Sequence, residues 1–361
     1  MVQFSLALVI VIFTLVFSRQ FDYLANADPL FTRDNIYSVR LQGTDRELLS
    51  RELTSISGVE KVSAASENLG KNVSGSITVK RQAANEAIGI DYYDVQAEFP
   101  KTMGLIFLAG NTFPEDATNN IERYTLINET ALRVLNFKSA DDAIGKQILL
   151  GDSIQVQITG VVRNFYHRGM EWAPGPLLLR NRPAEFNVLM VKTSAENKQL
   201  EAAFKAAWKK VSPYQDFEGD WLKSELYERY NPVGLTSMLG FLGFVTITIA
   251  CLGLLGMVTY ITQTRYKEIG IRKVMGAEIK IIIALLSRNF LKLVLIAGAI
   301  GLPLGYITSF LFLNMFTNRV PVGLDILLIS FIAMLLLTIL IIGSQVYKVA
   351  IANPVEALRN E

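Results

Sequence analysis

The apolar residues of this chain gather at its two ends. Three C-terminal stretches are long and almost free of charge: Leu235 to Ile261 has no charged residue, Phe290 to Phe316 has only Lys292, and Leu324 to Ser344 has only Asp325. A helix rises about 1.5 Å per residue, so about 20 apolar residues cross the roughly 30 Å of hydrocarbon in a bilayer. Each stretch is long enough, and Lys292 is near enough to an end to extend its amine toward the headgroups. A fourth apolar run, Val2 to Phe17, is shorter. Two readings of it are open: a retained first span, or a signal peptide cleaved at Ala25-Asn26-Ala27. The lack of Lys or Arg ahead of it, and its distance from Ala25, favour the retained span. Either reading puts the polar middle of the chain outside the cytoplasm.

Between Phe21 and Tyr230 the pattern becomes that of a water-soluble α/β domain. Ile36 to Leu41 alternates with strand period. Asp45 to Ile56 has helix period and is ended by Gly58, and Val59 to Ala64 is again strand-like. The order recurs near the end, with a strand at Val188 to Val191, an amphipathic helix at Ala195 to Val211 stopped by Pro213, and a short strand within Asp216 to Leu222. Two β-α-β units around an insertion predict a split, ferredoxin-like core. The insertion, about Ile77 to Arg182, holds strand-like pieces at Thr125 to Asn128, Gln147 to Leu150 and Ile154 to Val162, and a short helix at Thr130 to Asn136. Both ends of the domain lead to spans, so the β-α-β core is expected nearer the membrane than the insertion.

Charge fixes the orientation. Lys and Arg accumulate in short cytoplasmic loops. Arg265, Lys267, Arg272, Lys273, Lys280 and Arg288 lie between the second and third spans, whereas Arg319 stands alone between the third and fourth; Lys348 and Arg359 follow the last. The segments 262–289 and 345–361 are therefore cytoplasmic, and 20–231 is extracytoplasmic. The expected fold is an α-helical membrane protein of four transmembrane helices (1–19 and about 235–261, 290–316 and 324–344), with a large α/β domain inserted between the first and second. Of the 361 residues 51% are hydrophobic, as such a protein requires, and the net charge of +2 gives no reason to expect a nucleic-acid partner. Small residues recur in the spans: Gly240, Gly243, Gly253 and Gly256 in the second, and Gly298, Gly301 and Gly305 in the third. The spacing of Gly301 and Gly305 lets helix backbones approach closely, either within one bundle or at a dimer seam. Pro303 is a candidate kink.

Catalytic chemistry is poorly provided for. Glu115-Asp116 and Asp141-Asp142 are adjacent carboxylates that point in different directions, and they read as solvated turn residues. The single histidine, His167, reads as a loop residue in a packing or hydrogen-bonding role, and the single cysteine, Cys251, lies in a span. Neither a serine-histidine triad nor a cysteine-based metal site can be assembled. Gly145-Lys146 is followed by Gln147, so the phosphate-loop spacing is absent. No catalytic, cofactor or metal residue is expected. Asn72 and Asn128 stand in glycosylation sequons, a weak signal.

The cytoplasmic loop carries the strongest signal. Its sequence KEIGIRKVMGA runs from Lys267 to Ala277, with Ile269 and Ile271 as apolar anchors and Glu268, Arg272 and Lys273 as a polar rim suited to docking a partner. This motif resembles the loop of FtsX-like, MacB-type ABC transporter permeases. Asn289-Phe290 with GLPLGY at Gly301 to Tyr306 is similar to that family's third span. ANPVEALRNE at Ala352 to Glu361 resembles its C-terminal tail in Bacteroidetes-type members. DDAIGKQI and ITGVVRNFYHRGM are similar to its periplasmic region, so the resemblance covers nearly the whole chain.

The resemblance implies a MacB-like periplasmic domain at 20–231 and an FtsX-like permease domain at 232–344, in a bacterial inner membrane. It implies a dimer, with itself or with another permease half, and a separate cytoplasmic ABC ATPase that binds the ATP. Lys267, Glu268, Ile269, Gly270, Ile271, Arg272, Lys273, Gly276 and Ala277 would form the ATPase contact. Movement of the outer domain would perform export or mechanotransmission, in the company of membrane lipid and a periplasmic partner. Met1 lies almost at the first span, where the family has a cytoplasmic amphipathic segment. The chain thus resembles the second half of a longer, duplicated permease. The competing expectation is a membrane-anchored sensor or scaffold without transport activity, or an inactive fragment of a longer permease.

Overall fold

The computed structural model describes residues 2–81, 87–114, 122–151, 153–264, 268, 275 and 279–351. The chain forms two compact units, one of Leu24–Tyr230 and one that joins Met1–Tyr23 to Asn231–Glu361.

The Leu24–Tyr230 unit contains two sheets. The first is built from β1 (Ile36–Arg40), β2 (Val59–Ala65), β10 (Val188–Thr193) and β11 (Gly219–Trp221), in the order β11-β1-β10-β2. Its pairings β1–β10, β1–β11 and β10–β2 are all antiparallel. This is the split ferredoxin-like arrangement expected from the two β-α-β units. Its helices are α2 (Arg46–Thr54) and α6 (Lys198–Val211). Each starts on a side chain that accepts from otherwise unpaired amides: Asp45 from Glu47 and Leu48, and Asn197 from Leu200. Gly58 follows α2 at φ +96°, a left-handed conformation that favours glycine. Both helices cover one face of the sheet, burying Leu49, Leu53, Phe204 and Trp208 against Tyr37, Val39, Leu189 and Val191.

The insertion holds more strands than its sequence pieces suggested. It comprises β3 (Gly75–Arg81), β4 (Ile88–Asp94), α3 (Phe99–Thr102), β5 (Phe107–Gly110), β6 (Tyr124–Asn128), α4 (Glu129–Val134), α5 (Ala140–Ala143), β7 (Gln147–Leu150), β8 (Ile154–Val162) and β9 (Leu177–Arg180). The strands run β5-β8-β6-β9-β4-β3-β7, and β7 pairs back onto β8, so the sheet closes on itself. Long β8 makes this possible: its first half pairs with β7, its last residues with β5, and β6 pairs along its other edge. Closure leaves few free edges and surrounds Val79, Ile90, Ile127, Ile148, Ile158 and Leu178 with their own sheet. A third core, with Ile36, Ala65 and Met190 from the first sheet and Leu126, Leu177 and Leu179 from the second, joins the two. Asn128 is fully buried as the cap of α4, accepting from Ala131 at 2.8 Å, which explains its place better than the sequon does.

The other unit is a bundle of α1 (Val2–Asn26, its end beyond Tyr23 belonging to the outer unit), α8 (Val233–Thr264), α9 (Ile279–Leu313) and α10 (Leu324–Ile351); α7 (Leu222–Tyr230) precedes α8 in the outer unit. Four helical stretches are long and apolar enough to cross a membrane: Val2–Asn26, one within Leu222–Thr264, Phe290–Leu313 and Leu324–Gln345. The apolar limits underestimated the helices. The first continues past residue 19 to Asn26 because its polar end is held: Arg19 pairs with Asp325 at 2.7 Å, and Gln20 donates to Asn318 O at 2.7 Å and accepts from Val320 N at 2.9 Å. The segment 262–289 is not wholly loop, since α8 runs to Thr264 and α9 starts at Ile279. The segment 345–361 begins as helix, through Ile351. A helix pairs its backbone internally and does not have to stop at the hydrocarbon edge. α9 also runs through Pro303.

Candidate functional site

Of the nine residues expected to contact an ATPase, Lys267, Ile269, Gly270, Ile271, Arg272, Lys273, Gly276 and Ala277 lie outside the described residues, as do Glu115 and Asp116. Glu268 is described, helical and exposed. The structure brackets the segment between the end of α8 and the start of α9.

The small residues of α9 are placed against neighbouring helices of the same chain. A Cβ at Gly301 would lie 3.1 Å from Ser5 O and 3.2 Å from Ser5 Cα, which are backbone atoms of α1. At Gly305 it would lie 2.7 Å from Ile12, and at Gly298 it would overlap the Phe331 ring of α10. Ser5 Oγ donates to Ala297 O at 3.2 Å across the same contact. Phe13, Phe17 and Phe21 of α1 continue the seam in ring contact with Phe312 and Phe316. Gly240 and Gly256 of α8 face open space.

A second arrangement lies in the outer unit, where the chain enters and leaves it. The connection from β8 to β9 is bonded to both segments. Tyr166 N donates to Pro29 O at 3.0 Å, just after α1, while Arg33 donates to the carbonyls of Ala25 and Asn26 at 3.0 and 3.1 Å. At the exit, Tyr230 Oη accepts from Met170 N at 2.7 Å and donates to Glu171 at 3.0 Å. Arg229 donates to Arg168 O at 3.1 Å and to Lys71 O. Lys71 pairs with Glu225 of α7 at 2.6 Å. Gly169 has φ +116°, and a Cβ there would strike Glu171 and Tyr230, so the tight approach requires glycine.

His167 sits at the centre of this connection and is fully buried. Its carbonyl accepts from Gly70 N at 2.9 Å and from Tyr93 Oη at 2.8 Å. Its Nε2 lies 3.5 Å from Asp91 Oδ2, a near contact that misses hydrogen-bond geometry. Arg168 completes the cluster by donating to Asp91 Oδ1 at 2.5 Å. Burial works to raise the Asp91 pKa, but the neighbouring His167 and the hydrogen bonds and charge of Arg168 outweigh it, so the carboxyl lies below its usual range. The cluster joins segments of the chain around the buried His167 and Asp91, with Arg168 half-exposed at its edge.

A further charged row, Glu122–Arg180 at 2.5 Å and Arg182–Asp94 at 2.7 Å, has both guanidinium groups over the Tyr92 ring and joins β4 to β9. Beside it two grooves of about 710 and 720 Å³ share Asn181 and Pro183. Asp141 and Asp142 belong to the α5 turn, where Asp142 accepts from Lys138 N at 3.2 Å. Among the described residues no group of three His, Cys, Asp or Glu is placed to hold a metal ion.

Tyr230, Arg229, Tyr166 and Asp91 were not singled out in the sequence. Of these only Tyr166 lies in the run ITGVVRNFYHRGM, beside His167, Arg168 and Gly169; no sequence pattern marked Asp91, Arg229 or Tyr230.

Two family models match the chain in succession: the MacB-like periplasmic core domain over residues 3–207 and the FtsX-like permease C-terminal region over residues 240–354. Among curated proteins the chain is similar to the macrolide export ATP-binding/permease protein MacB of Escherichia coli, 21% identical over 295 residues, covering 77% of this chain and 42% of that protein. The chain thus spans less than half the length of that relative. Among solved structures it is similar to the periplasmic region of MacB from Actinobacillus actinomycetemcomitans, at 13% identity and TM-score 0.41, covering 53% of this chain and 91% of that one. It is also similar to a domain of a putative permease protein from Porphyromonas gingivalis, at 17% identity and TM-score 0.39, covering 52% and 90%.

Proposed function

The chain belongs to the ABC transporter permeases of the MacB/FtsX type, and on that premise we propose that it couples ATP hydrolysis by a cytoplasmic ABC ATPase to movement of its outer domain. It is a multi-pass inner-membrane protein, and in this proposal residues 20–231 lie in the periplasm. The observation that carries the reading is the succession of the two family matches along the chain, with the basic KEIGIRKVMGA segment inside the second. Lys267 to Lys273, with Gly276 and Ala277, would receive the motion of the ATPase. The bundle would pass it through α1 and α8 into the outer domain, in a dimer with a second copy or another permease half. ATP must then bind the closed ATPase state more tightly than the open one, since only differential affinity shifts such an equilibrium. The outcome would be export or mechanotransmission. The bonded ring around His167 supports mechanical transfer, because it ties both chain segments that enter the outer domain to one connection.

The test is purification of the tagged chain from native membranes in mild detergent, with mass spectrometry of what accompanies it. A P-loop ATPase is expected with the wild-type chain and is expected to be lost with Ile271→Asp, while membrane insertion is retained. Recovery of no ATPase would overturn the coupling and favour a membrane-anchored sensor or scaffold.

A further inference from the structure

Within the helical unit, the connection from α9 to α10 forms a groove of about 310 Å³. It is lined by Tyr306, Phe310 and Leu313 of α9, by Arg319, and by the run from Val320 to Val322. The connection is anchored by Gln20 of α1, which is fully buried. Gln20 donates to Asn318 O at 2.7 Å and accepts from Val320 N at 2.9 Å. The backbone is thus held on both sides of Arg319. Opposite that run, the rings of Tyr306 and Phe310 stack at 6.1 Å with nearly parallel planes, yet they stay 42% and 45% exposed. Leu313 is buried beneath them.

Charge indicates what the groove takes. Two arginines stand at this end of the bundle. Arg19 pairs with Asp325 at 2.7 Å and is neutralised. Arg319 is exposed, and among the described residues its guanidinium donates to the neutral side chain of Asn314 and pairs with no carboxylate. A guanidinium carries five N–H donors, so its fork stays free for a phosphate, which it binds with two parallel bonds. Short extracytoplasmic loops are poor in Lys and Arg, and in the proposed orientation this connection is one, so Arg319 calls for a local reason. Position narrows the ligand further. The apolar stretches able to cross a membrane end at Leu313 and resume at Leu324, with Arg319 between them. Tyr306 lies about 10 Å back along α9 from Leu313, within the first stretch. A ligand anionic at one end and apolar along its length matches both ends of the groove. Pockets with apolar walls and a few placed polar groups are the usual form of such sites.

We propose that this groove binds one anionic phospholipid, with its phosphate on the Arg319 guanidinium and an acyl chain along the Tyr306 and Phe310 rings. A headgroup of net negative charge fits because none of the lining residues carries a carboxylate to receive the ammonium of a zwitterionic lipid. The site lies wholly within the helical unit and needs no ATPase, so it stands or falls separately from the coupling role.

The test uses the full chain purified in mild detergent, with bound lipid counted by native mass spectrometry as dioleoyl phosphatidylglycerol or dioleoyl phosphatidylcholine is titrated. The wild-type chain is expected to take up one phosphatidylglycerol saturably and to prefer it to phosphatidylcholine by about tenfold. Arg319→Ala should weaken phosphatidylglycerol by about tenfold or more, the worth of a charge-assisted bond, and leave phosphatidylcholine unchanged. Arg319→Gln keeps a donor for Asn314 without the charge and should lose as much. Phe310→Ala should weaken both lipids by about fivefold, because it removes apolar wall. Melting temperatures of the lipid-free variants close to wild type report that they are folded. Equal affinity for phosphatidylglycerol in wild type and both Arg319 variants would overturn the proposal. So would equal affinity of the wild-type chain for the two lipids, or displacement of phosphatidylglycerol by excess inorganic phosphate, which would make the groove a site for the free anion.

Discussion

The two units of this chain place their large side chains in opposite ways. In the outer unit Trp208, Tyr93, Phe99 and Phe165 are fully buried, whereas in the helical unit Phe241, Phe244, Leu252, Tyr260 and Leu340 point outward. One physical rule covers both, because apolar surface avoids water but gains nothing by leaving lipid. The outer unit therefore builds three apolar cores, and the helical unit is held by close packing along a few seams. Glycine follows the same division. Gly58 and Gly169 serve the backbone at positive φ, while Gly301 and Gly305 are helical and let α1 approach. Substitutions that act differently in the two solvents test this contrast directly.

The largest effect is expected at Trp208. Its removal leaves a cavity between α6 and the first sheet and frees Gln215 O, which accepts its indole N–H at 2.9 Å. Trp208→Ala should cost the outer unit about 3–5 kcal/mol, measured by hydrogen exchange of β10 amides in the detergent-solubilised protein. Phe244→Ala, on an outward face of α8, should cost less than about 1 kcal/mol, since lipid fills the space it leaves. A loss at Phe244 comparable with that at Trp208 would break the comparison and show that protein covers that face.

Gly301→Leu ranks next. Its side chain would meet α1 backbone at Ser5, which cannot rotate away, so about 1–3 kcal/mol or more is expected from overpacking. Gly256→Ala meets nothing and should be neutral or stabilise α8 by up to about 1 kcal/mol. Thermal unfolding of the pair in one detergent separates a seam glycine from an incidental one. Equal melting temperatures would remove Gly301 from the packing argument.

Asp91 tests the outer unit's buried charge. Asp91→Asn leaves Arg168 and His167 without their carboxylate, and about 2–4 kcal/mol is expected, below the full cost of a wholly buried pair because Arg168 is half-exposed. The sign with pH follows from its lowered pKa. Asp91 stabilises the fold above the unfolded carboxylate value of 3.8, and that contribution is lost as pH falls through the lower folded value. Asp94 has the opposite sign, because burial outweighs Arg182 and raises its pKa, so falling pH relieves it. Acid unfolding of wild type and Asp91→Asn should converge toward low pH. Curves that stay parallel would show that the carboxylate does not carry the link.

The spans and the ferredoxin-like core were legible because each rests on a local period: uninterrupted apolar runs, a 3.6-residue stripe in α6, and alternation in β1 and β2. The closed barrel was not. β9 is only Leu177–Arg180 and β5 only Phe107–Gly110, too short to show a period, and β4 places Asp91 and Asp94 where apolar residues would be expected. Those aspartates make sense only once Arg168 and Arg182 arrive from far along the chain. His167 was read correctly as a packing or hydrogen-bonding residue, yet its partners Asp91 and Tyr93 were invisible, because the ring that joins them is long-range. The glycines of α9 were singled out from spacing, but which helix they would meet could not be chosen without the fold.

The smallest expected effect is the most specific to the junction between the regions. Tyr230→Phe keeps the ring and removes one oxygen, which accepts from Met170 N and donates to Glu171. Met170 is almost buried, so its amide loses a partner that water replaces only in part, and about 1 kcal/mol is expected. The distribution of that loss matters more than its size. If the β8–β9 connection is what ties the two entry segments together, exchange should quicken at Met170 and at Gly70, whose amide donates to His167 O, while β10 amides keep their wild-type protection. Exchange confined to Met170 would show that Tyr230 holds only its own contact. Quickening throughout the outer unit would show that the exit segment is part of the cooperative core. Only the first pattern makes the junction a separable mechanical element, able to yield to the helices without unfolding what it moves.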